Sequence, residues 1–246
     1  MEVTLEIQRF NPETDMKPAF SHYQINVQPT DRILDALMQI KRLQDGTLAL
    51  RKSCAHGVCG SDAMRINGKE RLACKTLVQD VVGSDSAPIR IEPLRDFPIE
   101  RDLMVDQQTF FEKYRSVKPF LINDDPVEHK ERIQSPEQRG AFEDATNCIL
   151  CSACFSACPV MESNSQFLGP AAIVQAARFL DDSRDKGFEP RLPILDSPNG
   201  VWPCENHFAC TRVCPREIKI TKLINQTKRK IQKYRENPGG KMNDRR

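Results

Sequence analysis

The stretch Cys148-Ile149-Leu150-Cys151-Ser152-Ala153-Cys154-Phe155-Ser156-Ala157-Cys158-Pro159 carries four cysteines at relative positions 1, 4, 7 and 11, with proline after the last. Thiolates in such a run, closed by Cys-Pro, are a known way of holding an iron–sulfur cluster. Laid further along the chain, the same template asks for cysteines at 204, 207, 210 and 214. Cys204, Cys210 and Cys214-Pro215 are there, and His207 stands at the remaining place. One motif is used twice, with one thiolate missing. Upstream, Cys54-x4-Cys59-x2-Asp62 and a distant Cys74 follow the plant-type spacing of a two-iron cluster, with Asp62 in the third position.

In runs of the bacterial type the fourth cysteine crosses to the other cluster. That rule assigns Cys148, Cys151, Cys154 and Cys214 to a 4Fe–4S cluster and leaves Cys158, Cys204 and Cys210 for a second one. Three thiolates suit a 3Fe–4S cluster, because a corner iron with no ligand is easily lost. A nitrogen ligand from His207 would instead complete a cubane. A carboxylate binds iron through oxygen, so Cys54, Cys59, Asp62 and Cys74 make a 2Fe–2S set; the alternative is an Asp62 that only hydrogen-bonds nearby. Gly57 and Gly60 let the backbone curl and aim N–H groups at sulfur, which tunes the potential. All ten cysteines are then used.

Other uses of cysteine fit less well. Zinc motifs rarely give C-x2-C-x2-C-x3-C-P. Disulfides belong to oxidising compartments. Cys54-Ala55-His56 is half of a Rieske pair whose partner is missing, which leaves His56 as a loop residue near the cluster.

A chain of 246 residues has room for two modest domains. Its net charge of +2 implies no general affinity for nucleic acid. The start, MEVTLEIQRF, alternates polar and apolar residues and has the character of neither a signal nor a transit peptide. No apolar run approaches the roughly 20 residues that span a bilayer. The chain is therefore expected to be soluble, with its thiols in a reducing compartment.

Val3, Leu5 and Ile7 alternate with polar residues, as do Tyr23, Ile25 and Val27, and Asn11-Pro12-Glu13 lies between; a hairpin is expected. Thr30 or Asp31 should cap a helix carrying Ile33, Leu37 and Ile40 on one face. Met64-Arg65-Ile66 and Ile89-Arg90-Ile91 read as strands, with a turn at Asn67-Gly68. These elements describe an α+β domain over residues 1–105. From 106 to 246 the pattern is helical, over Asp106–Arg115, Ser135–Phe142, Pro170–Leu180 and Ile220–Tyr234, with Pro170 in a first turn. Residues 212–246 carry twelve Lys/Arg against three Asp/Glu. This is either a solvated helix face or a contact for anionic head groups or an acidic partner.

With its cysteines placed, the chain resembles the iron–sulfur subunits of the succinate:quinone oxidoreductase and fumarate reductase family over nearly its whole length. The likeness is carried by residues 53–62 (SCAHGVCGSD), 72–76 (LACKT), 148–151 (CILC), 167–172 (FLGPAA), 182–185 (DSRD) and 200–204 (GVWPC). It implies a β-grasp plant-type ferredoxin domain followed by an all-α ferredoxin domain. It further implies a flavoprotein partner with covalent FAD, where succinate and fumarate interconvert, and one or two membrane-anchor subunits, often with haem b. Electrons would run from FAD through 2Fe–2S, 4Fe–4S and 3Fe–4S to a quinone. The chain would then lie peripherally on the cytoplasmic face of the cell membrane. The same likeness puts Lys228, and with less weight Pro159, Trp202 and His207, near the quinone.

Departures from the family pattern are local. Ubiquinone-using relatives tend to carry tryptophan after Cys-Pro and histidine after the residue matching Cys204. Here Val160-Met161-Glu162-Ser163-Asn164 and Glu205 stand instead, which points to menaquinone as readily as ubiquinone. Competing functions are a quinol:fumarate reductase subunit, a soluble module of a thiol-linked fumarate reductase, and a free ferredoxin-like carrier. The thiol-linked relatives usually extend into a cysteine-rich domain, and a free carrier would not use the long helical region.

Overall fold

The computed structural model describes residues 1–83, 87–127 and 130–237; the last part of the basic C-terminal stretch, 238–246, lies outside them. The first elements are β1 (Glu2–Arg9), β2 (Ala19–Asn26), α1 (Ile33–Leu43), β3 (Ala63–Ile66), β4 (Lys69–Leu72), β5 (Ile89–Glu92), β6 (Ile99–Arg101) and β7 (Met104–Val105). There follow α2 (Gln108–Ser116), α3 (Pro136–Gly140), α4 (Glu143–Thr146), α5 (Ala153–Ser156) and α6 (Pro159–Ser163). The last are α7 (Pro170–Leu180), α8 (Phe188–Leu195), α9 (Ala209–Arg212) and α10 (Ile220–Glu236). Two compact units form: Met1–Gln108 with Ile149–Ala157, and Thr109–Cys148 with the chain from Cys158 onward.

In the first unit, five strands form one sheet in the order β2-β1-β5-β3-β4. β1 pairs antiparallel with β2 from Glu2↔Asn26 to Arg9↔Ala19, and parallel with β5 at Leu5↔Ile89. The alternation in β1 sends Val3, Leu5 and Ile7 into the core, where α1 adds Ile33, Leu34, Leu37 and Ile40. Each such side chain, fully buried, contributes roughly 1.5–3 kcal/mol. The expected cap of α1 is displaced by one residue: Arg32 is the N-cap, and Asp35 accepts its N–H at 3.1 Å. Asp31 instead accepts the N–H of Gln28 at 2.7 Å. The acidic residue in the first turn satisfies the helix start in its place.

The middle of the first cysteine run belongs to this unit. Ser156, fully buried, donates to the Glu70 carboxylate at 3.0 Å and accepts the Arg95 N–H at 2.8 Å. The Phe155 ring lies 4.8 Å from that of Phe97. Gln107 Nε2 donates to Ser152 Oγ at 2.9 Å.

The second unit is helical. Gly169, at φ +89°, starts α7, and Pro170 takes its first position as expected. All of α7 except Arg178 is buried, and it packs against α4, α8 and α10. α10 turns Ile220, Leu223, Ile224, Thr227 and Ile231 inward at helical spacing. The helix expected over Ser135–Phe142 is shorter: Ser135 and Gln138 cap each other, the helix ends at Gly140, and α4 begins after Phe142. Arg191 is fully buried, paired with Asp185 at 2.7 Å and donating to the carbonyls of Val117, Lys118 and Phe120. Among the described residues no helix is long and apolar enough to cross a membrane.

Candidate metal centres

The loop between α1 and β3 holds Cys54 and Cys59. Ala55, Gly57 and Gly60 take φ values of +58°, +81° and +71°, which curl the backbone around the sulfur. The N–H groups of Cys59 and His56 point at Cys54 Sγ from 3.3 and 3.5 Å. The His56 N–H first, then the Cys59 side chain, pull the Cys54 thiol down to about 6, which favours the thiolate that iron binds. Cys74 is buried after β4; burial and then the Asp62 carboxylate push its thiol up to about 12. Asp62 is only 3% exposed, and its Oδ2 accepts the Cys74 N–H. This loop thus brings two thiols, a buried carboxylate, a third thiol and N–H donors into one unit, a donor set that fits a small anionic cluster.

The two long cysteine runs share a backbone as well as a spacing. Leu150 and Ser152 take φ of +54° and +65°, and Asn206 and Phe208, their counterparts in the template, take +61° and +59°. A one-turn helix follows each: α5, which carries Cys154, and α9, which carries Cys210. Left-handed backbone at a leucine or a phenylalanine costs roughly 1–2 kcal/mol, and strain of this kind gathers at functional sites. Cys151 and Cys154 are buried; Cys148 and Cys214 are half-buried.

In the second unit Cys158, Cys204 and Cys210 line one concavity, together with Pro159, His207, Phe167 and Thr221. Burial pushes the thiols of Cys158 and Cys210 up, and Thr221 partly offsets this at Cys210. His207 is exposed, its Nε2 3.1 Å from the Glu205 carboxylate. Three thiols around one concavity are a donor set that suits a cluster; among the described residues no three His, Cys, Asp or Glu side chains gather as the shell of a single metal ion. Ligands that each bind a different iron must stand further apart than those of one zinc.

Two of the four residues tied by resemblance to the quinone, Pro159 and His207, line this cavity; Trp202 and Lys228 do not. The Trp202 indole donates to Asp196 at 2.9 Å beneath the Arg235 guanidinium. Lys228 donates to the Cys204 carbonyl at 2.7 Å. It is the last of a polar stripe on α10 whose other two members, Thr221 and Asn225, sequence reasoning missed. Thr221 reaches Cys210 Sγ at 3.6 Å, and Asn225 donates to Asn206 at 3.0 Å. The i, i+4, i+7 spacing was the available signal.

Two domain models match in the same order: a "2Fe-2S iron-sulfur cluster binding domain" over residues 4–112 and a "4Fe-4S dicluster domain" over residues 144–218. The chain is 41% identical to a succinate dehydrogenase iron–sulfur subunit of Coxiella burnetii, over 91% of this chain and 94% of that one. It is 40% identical to a fumarate reductase iron–sulfur subunit of Mycobacterium tuberculosis, over 92% and 91%. A chain of the Mycobacterium smegmatis Sdh1 complex superposes with a TM-score of 0.87 at 27% identity, over 96% of this chain and 98% of that one.

Proposed function

This chain belongs to the family of iron–sulfur subunits of succinate dehydrogenases and fumarate reductases, and from that premise we propose that it conducts electrons between the FAD of a flavoprotein partner and a membrane quinone, through 2Fe–2S, 4Fe–4S and 3Fe–4S clusters in series. The observation that carries this reading is the pair of cluster motifs on two successive domains, each matched by its own domain model. Bound clusters supply the one-electron chemistry. The protein's part is to place them and set their potentials through ligands, hydrogen bonds and burial.

We assign Cys54, Cys59, Asp62 and Cys74 to the first cluster, Cys148, Cys151, Cys154 and Cys214 to the second, and Cys158, Cys204 and Cys210 to the third. The aligned N–H donors at Cys54, the repeated left-handed backbone and the three-cysteine cavity support that division. The dicarboxylate chemistry belongs to the flavoprotein, and one or two anchor subunits, with or without haem b, hold the complex on the cytoplasmic face of the membrane. Lys228, and with less weight Pro159, Trp202 and His207, remain the candidates for the quinone neighbourhood, and the position of Pro159 and His207 at the proposed third site supports that reading. Relatives of both names match at similar identity, so succinate oxidation and fumarate reduction with menaquinone are both readings of the same wire.

The test is isolation of the tagged chain from membranes of its host. A co-purifying subunit with covalent flavin, and reduction of the clusters by succinate, are expected. A chain that isolates alone, with clusters that succinate cannot reduce, would instead be a soluble carrier.

A further inference from the structure

α10 meets the second cysteine run through Thr221, whose side chain is 2% exposed at the start of the helix. Its Oγ1 lies 3.6 Å from Cys210 Sγ, 3.0 Å from Thr211 Oγ1, and beside the cavity that Cys158, Cys204 and Cys210 line. The Thr221 N–H donates to Thr211 Oγ1 at 3.0 Å. Each hydroxyl has one proton to give. A thiolate that binds iron has none and can only accept. Directions follow from this count. Thr211 also bears on Cys210, and the 3.6 Å contact of Thr221 Oγ1 with the sulfur selects the order: the Thr221 proton goes to Cys210, the Thr211 proton goes to Thr221 Oγ1, and the Thr221 backbone N–H fills Thr211. Two hydroxyls in series polarise each other and strengthen the last bond.

We propose that Thr221 is a positioning residue for electron transfer: its hydroxyl, oriented by Thr211, donates a hydrogen bond to the Cys210 sulfur and raises the reduction potential of the cluster which that sulfur holds. The reduced cluster carries one more negative charge, so a donor at its sulfur stabilises the reduced state more than the oxidised one. The effect keeps the third cluster easy to reduce, as the last carrier before a quinone requires. This rests on the assignment of Cys158, Cys204 and Cys210 to one cluster.

The experiment is an EPR-monitored redox titration of the intact complex carrying Thr221→Val, Thr221→Ser or Thr211→Val. Thr221→Val should move the midpoint of the Cys210 cluster to more negative potential by about a tenfold change in its reduction equilibrium, about 59 mV for one electron. Thr221→Ser should restore the wild-type value, and Thr211→Val should give a smaller shift in the same direction. If Thr221→Val does not retain its clusters, Thr211→Val against Thr221→Ser decides. Equal midpoints in the hydroxyl-free and wild-type complexes overturn the proposal and leave Thr221 as a packing residue. A wild-type complex with no oxidised-state signal overturns the three-iron reading instead; the same midpoint comparison then runs on the reduced-state signal of that cluster.

Discussion

Gly60 lies directly against Cys151: a Cβ built on Gly60 would fall 2.6 Å from the Cys151 Cβ and 2.9 Å from its Cα. Both belong to the first unit, one in the loop of the proposed 2Fe–2S cluster and the other in the first cysteine run. No side chain separates the two backbones at this point. Under the ligand assignment proposed above, that close approach brings the loops of two successive clusters side by side, which is what a short electron hop demands.

Gly60→Ala should therefore fail for two reasons, left-handed strain of roughly 1–2 kcal/mol and a clash that cannot be relieved without shifting Cys151. Gly68, at φ +76°, has only the far end of Arg65 at 3.9 Å, so Gly68→Ala carries the strain alone. Iron content per complex should fall in Gly60→Ala and stay near wild type in Gly68→Ala. Equal losses in both would mean that the approach to Cys151 has no part in holding clusters.

Ser156→Ala removes a donor from the buried Glu70 carboxylate and an acceptor from the Arg95 N–H. A buried polar group left short of a partner costs about 1–3 kcal/mol. At about 2–4 °C per kcal/mol for a chain of this size, Tm should drop measurably in thermal unfolding. An unchanged Tm would show that water replaces the hydroxyl without loss.

Arg191 spends its guanidinium on Asp185 and on three backbone carbonyls while fully buried. Arg191→Leu leaves Asp185 as an unpaired buried charge, at a cost of about 3–5 kcal/mol. Arg191→Lys should restore little, because an ammonium cannot span the same fork of acceptors. Denaturant midpoints for the two variants check this, and full rescue by lysine would contradict it.

Asp45 accepts hydrogen bonds from Thr47 and Tyr23 and pairs with Arg9, which together hold its carboxyl well below the usual carboxylate range. A depressed folded-state pKa gives stability that is complete above the unfolded value of about 3.9 and is lost as pH falls below it. The Tm gap between wild type and Asp45→Asn should thus be wide at neutral pH and shrink in acid. Cluster loss in acid is common to both chains, so the gap isolates Asp45. A gap independent of pH would sink this account.

What was legible in the sequence was what depends on spacing. Strict alternation in β1 and β2 and the apolar face of α1 place the sheet and its crossing helix, and the cysteine template finds both runs. β4 was missed because Lys69-Glu70-Arg71 reads as a solvated turn. Glu70 is buried against Ser156, far along the chain, and against the guanidinium groups of Arg65 and Arg95. α8 was hidden by Pro190 and Pro193, the second of which lies inside the helix. The basic stretch that includes α10 was open to two readings, a solvated face or a partner contact, and within its polar stripe only Lys228 was singled out. Thr221 and Lys228 turn inward because a cysteine loop, not solvent, covers them. Contacts of this kind have no local signature.

The most direct test of the three-cluster wire is low-temperature EPR of the purified complex, oxidised and then reduced in steps. The account predicts a 3Fe–4S signal in the oxidised state, a 2Fe–2S signal on reduction, and a spin-coupled 4Fe–4S signal at lower potential. Absence of the oxidised signal, with iron content matching two cubanes and one 2Fe–2S cluster, would contradict it and make His207 the holder of a fourth iron.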